Sequence, residues 1–397
     1  MYYYYIEYPQ SLQYKFKYLI DKINTIIYNG QEGGICMLKA LCTAEFDPKW
    51  AEKAGELVRF QRVGFSLDLN PASRMDEKRI AASLQGYDIF FCGYEKVTRQ
   101  VLEACPELKL ILSVRDGPEE NIDVAACTQM GIPVLFSGGR CERSVPEFTL
   151  LAMLLMAKPA LRSAQVIRAE GWTKENDLCL RRICEASTEL AGKTLGIVGL
   201  GRNGRGVAKR AAGFEMEMMA YDPYAPPEKA RELGVKLCAL EEVLSSADYL
   251  VMAARVTQET RGMIGAGEFA RMKDGACFIN AARAALADSG ALLEQLRSGR
   301  LRAALDVFDE EPVGPASPWY SIPEDRLLMT SHLAGLSVER VVYQSEMLCG
   351  LLSRFLEGEA MERGVCNPQV WDCPAFEGRG GTLYGCRRGK GQTGAGQ

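Results

Sequence analysis

The fold of this chain is constrained most by residues 193–222, which read KTLGIVGLGRNGRGVAKRAAGFEMEMMAYD. The apolar run at 194–198 is typical of a buried parallel strand, and apolar side chains at helical spacing predict a helix at 203–214. A second apolar run predicts another strand at 216–221. Strand, glycine-rich turn, helix and strand in this order form a βαβ unit, which predicts an α/β protein with a parallel sheet.

Three glycines lie in the turn of this unit: Gly199, Gly201 and Gly204. In a GxGxxG turn the first glycine permits a tight bend, the second lets the backbone approach a pyrophosphate, and the third lets the helix pack closely on the strand. Amide groups at the start of the helix would face the phosphates, with the positive end of the helix dipole behind them. The turn therefore predicts a dinucleotide site, and a glycine-rich turn of another α/β protein is the alternative.

Asp222 identifies the dinucleotide more closely, because it ends the second strand 18 residues after Gly204. A carboxylate at this position can accept hydrogen bonds from both ribose hydroxyls, and it would repel a 2′-phosphate. The next four residues, PYAP, contain no Arg or Lys for such a phosphate. The sequence thus favours NAD over NADP, and an unrelated glycine-rich turn does not explain this aspartate.

The composition limits the class of protein and its surroundings. At 397 residues, with 47% hydrophobic and 25% charged residues, the chain is long enough for about two or three globular domains. A net charge of −4 disfavours nucleic-acid partners. Its 14 cysteines without a CxxC pair, and its single histidine, disfavour a metal site and favour free thiols in a reducing compartment. The longest apolar stretch, 148–157, is too short to span a bilayer, so we expect a cytoplasmic protein with no membrane partner.

The two ends of the chain differ from the rest. Residues 1–35 hold eight of the 16 tyrosines, and we expect them to be an extension outside the fold, since Met37 opens a plausible first strand and marks an alternative start. An N-terminal helix at 14–27 is the other interpretation. The C-terminal end is taken as residues 371–397. Its last 20 residues hold eight glycines, four basic residues and no acid. We expect a disordered Gly/Arg-rich tail there, with an RGG-type RNA-binding segment as the alternative.

Short apolar runs alternate with helical patterns before the glycine-rich unit and again after it. Ahead of it, they predict a first α/β layer structure with strands at 38–42, 57–60, 89–92, 108–114 and 134–136 and helices at 78–84 and 124–130. Beyond it, further strands extend the nucleotide-binding domain at 249–253, 277–280, 302–307 and 327–330. Residues 338–356 predict a final helix that can return to the first domain.

An apolar-faced helix at 144–170 joins the two domains, and Pro159 inside it should kink or divide it. We therefore expect a discontinuous substrate domain, formed by 36–145 and 338–370, into which an NAD-binding domain at 146–337 is inserted. The cleft between the two domains is the expected substrate site.

Three polar residues lie at the predicted carboxyl ends of late strands, where open α/β sheets place their ligands. They are Arg283 in FINAARAALAD, Glu311 in ALDVFDEEP and His332 in LLMTSHLAG. A 2-keto acid needs a cation to hold its carboxylate and polarise its carbonyl, and a proton donor for the alkoxide that forms as hydride arrives. A guanidinium and an imidazolium fit these tasks, and a carboxylate beside the imidazole would favour its protonated form.

Together, these motifs resemble the NAD-dependent D-2-hydroxyacid dehydrogenase family, whose best-known type is D-3-phosphoglycerate dehydrogenase. The resemblance runs from about residue 38 to 368, and it is carried by GLGRNG with Asp222, by INxxR with Arg283, by DVFxxEP with Glu311, and by His332. It implies an oxidoreductase that transfers a hydride between NAD(H) and a small D-2-hydroxy acid or 2-keto acid. It also implies a Rossmann-type NAD-binding domain, a flavodoxin-like substrate domain, and a homodimer formed largely through the helix that joins the domains.

The same resemblance implies a role for each site residue. Arg283 would bind the carboxylate and carbonyl of the substrate, and His332, paired with Glu311, would be the acid/base. Asp306 would lie beside the nicotinamide carboxamide. The remaining implied cofactor contacts, besides the glycines of the turn and Asp222, are Arg202, Asn203 and Ala281.

The loop at 113–123, SVRDGPEENID, departs from the family pattern where substrate would bind. Many members place a glycine there whose N–H holds the carboxylate, whereas this chain has Pro118, which has no N–H. The donors would then be the backbone of Gly117 or Glu119, or the side chain of Arg115. The acidic residues of the loop would repel a phosphorylated substrate, so we expect an unphosphorylated acid and place its contacts at Arg115, Gly117 and Arg283.

Three alternatives remain open. A non-catalytic, NADH-sensing binding protein, similar to the transcriptional corepressors of this family, would keep the same fold and the same Arg, Glu and His set. A formate dehydrogenase would have a glutamine beside the histidine, where this chain has Ser331. Arg115 could instead form a local salt bridge with Asp116 or Glu119.

Overall fold

The computed structural model describes residues 37–63, 75–185, 187–359 and 361–377. The expectations for residues 1–35 and for an RGG-type segment therefore lie outside the described residues. The chain divides into two compact units, one that runs to Arg140 and resumes at Val338, and one at Cys141–Ser337. One α/β unit is thus inserted into the sequence of another.

The first unit contains a five-stranded parallel sheet. Its strands are β1 (Lys39–Cys42), β2 (Arg59–Arg62), β3 (Ile89–Cys92), β4 (Leu110–Ser113) and β5 (Val134–Phe136). Its helices before the insertion are α1 (Pro48–Leu57), α2 (Glu77–Ser83), α3 (Arg99–Glu103) and α4 (Val124–Gln129). The strand order β2-β1-β3-β4-β5 is the flavodoxin-like order that the family resemblance implies.

Burial explains why the central strands of this sheet are apolar runs. Every residue of β3 and β4 is buried, as expected for parallel strands with helices on both faces, whereas the edge strand β2 is largely exposed. On one face, the rings of Phe46, Phe60 and Phe91 pack with centroids 5.1 to 5.4 Å apart. These rings belong to the apolar core on that face of the sheet.

The second unit contains a seven-stranded parallel sheet. Its helices are α5 (Ser144–Ala157), α6 (Ala160–Glu170), α7 (Asp177–Glu185), α8 (Arg202–Ala211), α9 (Pro227–Glu232), α10 (Leu240–Ser246), α11 (Ala266–Arg271) and α12 (Ser289–Arg297). Its strands are β6 (Thr194–Val198), β7 (Glu217–Tyr221), β8 (Val235–Leu237), β9 (Tyr249–Met252), β10 (Cys277–Asn280), β11 (Arg302–Leu305) and β12 (Leu327–Met329). After this unit the chain returns to the first one through α13 (Val338–Leu356) and α14 (Pro374–Phe376).

The strand order of this sheet is β8-β7-β6-β9-β10-β11-β12. Counted from the first strand of the unit, this is the 3-2-1-4-5-6 order of the Rossmann fold with one more parallel strand at the end. The order reverses at β6, and ligands of such sheets bind beyond the carboxyl ends of the strands at this point. A Rossmann-type unit inserted into a flavodoxin-like one confirms the fold class predicted from the sequence.

Pro159 divides the helix predicted at 144–170, as expected. It lies between α5 and α6, which are bent by 67° relative to each other. Within the described residues no single helix is long and apolar enough to cross a membrane, and α5 and α6 meet those criteria only as a pair.

The structure corrects the prediction around the second strand. A strand was expected at 57–60, but Leu57 ends α1 and the strand is Arg59–Arg62. The helix begins where the Asp47 carboxylate accepts the Trp50 N–H at 3.2 Å, with Pro48 at its first position. This capping signal was present in the sequence. The three-residue strand β8 was also not predicted.

The boundary of the C-terminal tail is a second correction. The tail was placed from residue 371 onwards, whereas residues 371–377 are ordered and include the last turn of a 3₁₀ helix and α14. The reason is aromatic burial, because the ring of Phe376 is buried and packs edge-on against Trp371 at 5.2 Å. Residues 378–397 lie outside the described residues.

Candidate nucleotide-binding and active site

The glycine-rich turn joins β6 to α8 with little free space on its inner side. Gly199 has a φ of +96°, and a Cβ there would lie 2.6 Å from the backbone nitrogen of Ala254. A Cβ at Gly204 would lie 2.1 Å from the carbonyl oxygen of Gly199. In contrast, a Cβ at Gly201 would meet no described atom within 4 Å. The turn is therefore closed towards the sheet and open on the side of its middle glycine, which suits close approach of a pyrophosphate.

Asp222 lies against this turn. One oxygen of its carboxylate accepts the Leu200 N–H at 2.7 Å, and the other accepts the Tyr224 N–H at 2.9 Å. These bonds hold the carboxylate at the end of β7 beside the start of α8. Arg202 and Asn203 are the first two residues of α8, and Arg202 is exposed. The structure thus brings together the predicted glycines, Asp222 and the start of the helix.

Arg283 lies in the loop that follows β10, and the buried Asn280 fixes that loop. The Asn280 side chain accepts the Ala282 N–H at 3.0 Å and donates to the Arg283 carbonyl at 2.9 Å. Arg283 is exposed, its guanidinium donates to the Ala282 carbonyl at 2.8 Å, and Ala281 is half-buried in the same loop. Asn280 was missed as a site residue, although a polar residue closing an apolar strand was a usable signal.

His332 and Glu311 form the predicted pair. Nδ1 of His332 lies 2.7 Å from one carboxylate oxygen of Glu311, and the other oxygen accepts the Phe308 N–H at 2.9 Å. Since Nδ1 is engaged by the carboxylate, Nε2 is the nitrogen left to exchange a proton with a substrate. His332 has a φ of +53°, an uncommon backbone conformation for a residue other than glycine. The imidazole is half exposed, with 49% of its side-chain surface accessible.

Asp306 holds the loop that carries His332. Its carboxylate is 1% exposed and accepts the Thr330 hydroxyl at 2.6 Å, the Leu333 N–H at 2.9 Å and the Ala334 N–H at 2.8 Å. These donors flank the histidine on both sides. The contacts that the structure shows for Asp306 therefore fix the backbone around His332, a role that the sequence did not reveal.

Strand order explains why these side chains are neighbours. β10, β11 and β12 are consecutive parallel strands, and they are followed by Arg283, Asp306 and His332 respectively. The carboxyl ends of parallel strands meet at one edge of a sheet. A guanidinium, an imidazole with its carboxylate partner, and the glycine-rich turn therefore lie along the same edge of the second unit.

The loop of the first unit that was expected to bind substrate is predominantly acidic. Arg115 forms an ion pair with Glu120, where the sequence had suggested Asp116 or Glu119, and its guanidinium lies 5.0 Å from the centre of the Tyr94 ring. A Cβ at Gly117 would lie 3.3 Å from a carboxylate oxygen of Glu120. The predicted contacts Arg115 and Gly117 are thus both close to carboxylates.

Among the described residues, a buried cysteine of this sheet is unsuited to nucleophilic chemistry. Burial raises the pKa of the Cys277 thiol to about 12, so this cysteine at the start of β10 stays protonated and is a poor nucleophile. In the part of the chain that the structure describes, no group of three or more His, Cys, Asp or Glu residues could hold a metal ion.

Both the sequence and the fold match known proteins. The family described as "D-isomer specific 2-hydroxyacid dehydrogenase, NAD binding domain" matches residues 150–334. The chain is 34% identical over 306 residues to a D-3-phosphoglycerate dehydrogenase of Archaeoglobus fulgidus, covering 77% of this chain and 56% of that protein. It is 31% identical over 266 residues to a glyoxylate reductase of Korarchaeum cryptofilum, covering 67% and 78%. The chain spans about half the length of the D-3-phosphoglycerate dehydrogenases it matches.

Among solved structures, the TT0316 protein of Thermus thermophilus has a similar fold, with a TM-score of 0.70 and 27% identity over 83% of this chain and 100% of that one. The chain therefore belongs to the D-isomer-specific 2-hydroxyacid dehydrogenase family. The matched residues contain the glycine-rich turn, Asp222, Arg283, Glu311 and His332, and they form the NAD-binding domain of that family. The family and the cofactor expected from the sequence are confirmed.

Proposed function

We propose that this chain is an NAD-dependent oxidoreductase that transfers a hydride between NAD(H) and a small D-2-hydroxy acid or 2-keto acid. The observation that carries the proposal is the 2.7 Å contact between His332 and Glu311 at the sheet edge that also carries Arg283. The names of the two relatives, D-3-phosphoglycerate dehydrogenase and glyoxylate reductase, support the same reaction class.

The glycine-rich turn fits the cofactor because it is open at Gly201. A larger residue at this position would fill the space that the cofactor needs. The start of α8 would face the pyrophosphate, and Asp222 would accept the ribose hydroxyls. When bound, NADH would supply the hydride to the carbonyl carbon. We assign the remaining cofactor contacts to Arg202, Asn203 and Ala281, and we assign Asp306 to holding the loop at this end of the site.

The catalytic roles follow from charge and geometry. Arg283 would hold the substrate carboxylate and polarise the carbonyl through its guanidinium. As the carbonyl carbon is reduced, Nε2 of His332 would give its proton to the carbonyl oxygen, which completes the hydroxyl group. Glu311 would keep the ring oriented and stabilise its protonated form through Nδ1. In the oxidative direction, the same nitrogen would take up the hydroxyl proton.

We further propose that the physiological acid is not phosphorylated. The loop residues 115–120 read RDGPEE, so three carboxylates accompany one guanidinium, and Glu120 already pairs with Arg115. A phosphate would bring about two more negative charges to this loop. A single carboxylate is repelled less, which favours an acid such as glyoxylate or pyruvate.

A screen of NADH oxidation tests both proposals. The acids are glyoxylate, pyruvate, hydroxypyruvate, branched 2-keto acids and phosphohydroxypyruvate, each with NADH and with NADPH. We expect turnover of one or more unphosphorylated acids with NADH preferred. Turnover of phosphohydroxypyruvate alone would contradict the substrate assignment, and NADH binding without turnover of any acid would favour the NADH-sensing alternative.

We also infer a homodimer, formed through α5, α6 and α7. None of the 11 residues of α6, all of them described, is buried. Large apolar side chains on these helices and their connections are exposed, among them Leu151, Leu161, Trp172 and Leu178. A second copy of the chain would cover this surface, as expected when an exposed apolar patch is a symmetric interface.

Light scattering tests the homodimer. The wild-type protein should have twice the chain mass of 43.8 kDa. Leu161→Glu combined with Leu178→Glu should lower the mass to that of one chain. Val338→Glu is the matched control, because Val338 is an exposed apolar residue on a different helix. A wild-type mass of one chain would contradict the inference.

We place the protein in the cytoplasm. The 12 cysteines among the described residues are free thiols, which fits a reducing compartment. Fractionation of the native host, with the protein followed by mass spectrometry, tests this location. Recovery from an extracellular or periplasmic fraction would contradict it.

A further inference from the structure

Two loops of the second unit flank the glycine-rich turn. β7 and β9 are the two neighbours of β6 in the sheet, so the loops that follow them lie on either side of the turn that follows β6. The loop after β7 contacts the turn through Asp222, which accepts the Leu200 N–H at 2.7 Å. The loop after β9 contacts it through Ala254, whose backbone nitrogen would lie 2.6 Å from a Cβ at Gly199. The dinucleotide site therefore has a loop on each side.

A side-chain contact joins these two loops. The Tyr224 hydroxyl donates to a carboxylate oxygen of Glu259 at 3.1 Å, and this hydrogen bond raises the pKa of the phenol, which remains a donor at neutral pH. Tyr224 is also held at its backbone, since its N–H donates to the Asp222 carboxylate at 2.9 Å. Yet Tyr224 is 79% exposed. Its ring is thus held at both ends while most of its surface is open to a ligand.

The loop that carries Glu259 is held by its own threonines. The Thr257 N–H donates to the Thr260 hydroxyl oxygen at 2.7 Å, and the Thr260 N–H donates to the Thr257 hydroxyl oxygen at 3.2 Å. The Thr260 hydroxyl in turn donates to the Arg255 carbonyl at 2.5 Å. Glu259 lies between these two threonines in the sequence, so its backbone has a defined position. Tyr224 is therefore tied to a loop that is ordered by hydrogen bonds of its own.

The order of the chemical groups along NAD brings the adenine to Tyr224. In the proposed function the pyrophosphate faces the start of α8, and Asp222 accepts the hydroxyls of the ribose. The adenine is bonded to that same ribose, so it would lie beside the residues that follow Asp222. Tyr224 is two positions further on and presents an exposed aromatic ring. Aromatic side chains bind nucleobases by stacking on their faces.

We propose that Tyr224 and Glu259 form an adenosine clasp. Tyr224 provides the ring on which the adenine of NAD stacks, and Glu259 positions that ring from the other side of the glycine-rich turn. Tyr224 is thus a binding residue, and Glu259 is a positioning residue that acts through it. The clasp rests on the NAD site of the proposed function and is independent of its reaction, because it concerns the half of the cofactor that carries no hydride.

Binding of ADP-ribose to the full-length protein tests the adenosine clasp without requiring turnover. ADP-ribose keeps the adenosine and the pyrophosphate of NAD and lacks the nicotinamide. Its Kd is measured by calorimetry, and the Kd of NADH by fluorescence. The variants are Tyr224→Ala, Tyr224→Phe, Glu259→Ala, Glu259→Gln and the double variant Tyr224→Phe/Glu259→Ala. Thermal unfolding without ligand establishes that each variant is folded.

The matched control is Tyr320→Ala. Tyr320 is also an exposed tyrosine of the second unit, and its hydroxyl donates to the Val313 carbonyl at 3.3 Å. It lies in a 3₁₀ helix at Pro318–Ser321, ahead of β12 and outside the loops that flank the glycine-rich turn. This variant should bind ADP-ribose and NADH as the wild type does.

Tyr224→Ala should weaken ADP-ribose binding by about ten- to hundredfold, because the adenine loses its stacking surface. Tyr224→Phe and Glu259→Ala should each weaken it by about two- to tenfold, because the ring is kept but is no longer held at its tip. The double variant should be no weaker than the single variants, since all three lack the same hydrogen bond. Glu259→Gln should stay within about twofold of the wild type, because the amide oxygen still accepts the phenolic proton. Each variant should change the Kd of NADH by the same factor as the Kd of ADP-ribose.

An unchanged or lower Kd for ADP-ribose in Tyr224→Ala would overturn the proposal, as would a wild type that does not bind ADP-ribose. If Tyr224→Ala does not fold, unchanged binding in both Tyr224→Phe and Glu259→Ala would overturn it. Losses that multiply in the double variant would contradict the role of Glu259. A wild type that binds ADP-ribose through the clasp but reduces no 2-keto acid would support the clasp and contradict the proposed activity. An active enzyme with unchanged binding in Tyr224→Ala would contradict the clasp alone.

Discussion

Asp306 gives the most detailed prediction, because its carboxylate accepts three hydrogen bonds around His332. In Asp306→Asn one oxygen becomes an NH₂ group. If the remaining oxygen keeps the bonds from Thr330 and Leu333, the NH₂ group must face the N–H of Ala334, which is now 2.8 Å from an acceptor. The wild type has a charge-assisted hydrogen bond at this buried position, whereas the variant has two hydrogen-bond donors that face each other.

The cost of this exchange follows from ordinary hydrogen-bond energies. A hydrogen bond to a charged group contributes about 1.5–3 kcal/mol, and loss of a partner for a buried donor costs a similar amount. Since 1.4 kcal/mol is a factor of ten, local opening of the loop should become about ten- to hundredfold more frequent. His332 would then leave its unusual backbone conformation more often, and kcat should fall by about tenfold or more.

Hydrogen exchange of residues 330–336, measured by mass spectrometry, is the direct assay. Amide protection at Leu333 and Ala334 should fall in Asp306→Asn, together with kcat, while NADH affinity changes little. Asp309→Asn is the matched control, because Asp309 is an exposed aspartate in the same region. Unchanged protection and unchanged kcat in Asp306→Asn would refute the role given to this carboxylate.

Three further substitutions test separate parts of the structure. Glu311→Ala should lower kcat by about 10²- to 10⁴-fold with unchanged NADH affinity, because Nδ1 of His332 loses its partner. Steady-state kinetics that show a retained kcat would refute this prediction. Gly204→Ala should abolish NADH binding and lower the free energy of unfolding by about 1–3 kcal/mol, because its Cβ would lie 2.1 Å from a carbonyl oxygen. Gly213→Ala is the control, since a Cβ at that position would meet no described atom within 4 Å, and this variant should bind NADH normally. Burial raises the pKa of Glu95 in the folded state. The stabilisation that the protonated Glu95 side chain contributes is therefore complete below the pKa of Glu95 in the unfolded state, and it is lost as pH rises through the pKa of Glu95 in the folded state. Glu95→Gln should therefore stabilise the protein more at pH 7 than at pH 4 in urea unfolding, and the opposite order would contradict that direction.

Much of the fold was predictable because the buried strands are apolar runs with polar ends. The predicted bounds of β3, β5, β6 and β10 agree with the structure, since each run is buried along its whole length or nearly so. The helix α1 was missed because four of its ten residues are charged and its beginning depends on the cap formed by Asp47. The packing of Trp371 and Phe376 was missed because the glycine-rich composition of the following residues dominated that region.

The site was predictable to a different extent in each unit. Arg283, Glu311 and His332 follow predicted strands of the second unit, so parallel strand order alone places them at one edge. The contact between Tyr94 and Arg140 joins residues 46 positions apart, and it depends on loop conformations set by Gly139 and Gln344. Sequence patterns do not specify such conformations, so this contact could not be predicted.

The role of His332 is tested most directly by comparing His332→Ala with the wild type. NADH oxidation is followed with the best acid from the screen, and NADH affinity is measured by fluorescence on the same preparations. We predict that the variant loses at least about a hundredfold in kcat while its Kd for NADH stays within about twofold of the wild-type value. Near-normal turnover in His332→Ala would contradict the assignment of this histidine as the acid/base of a D-2-hydroxyacid dehydrogenase.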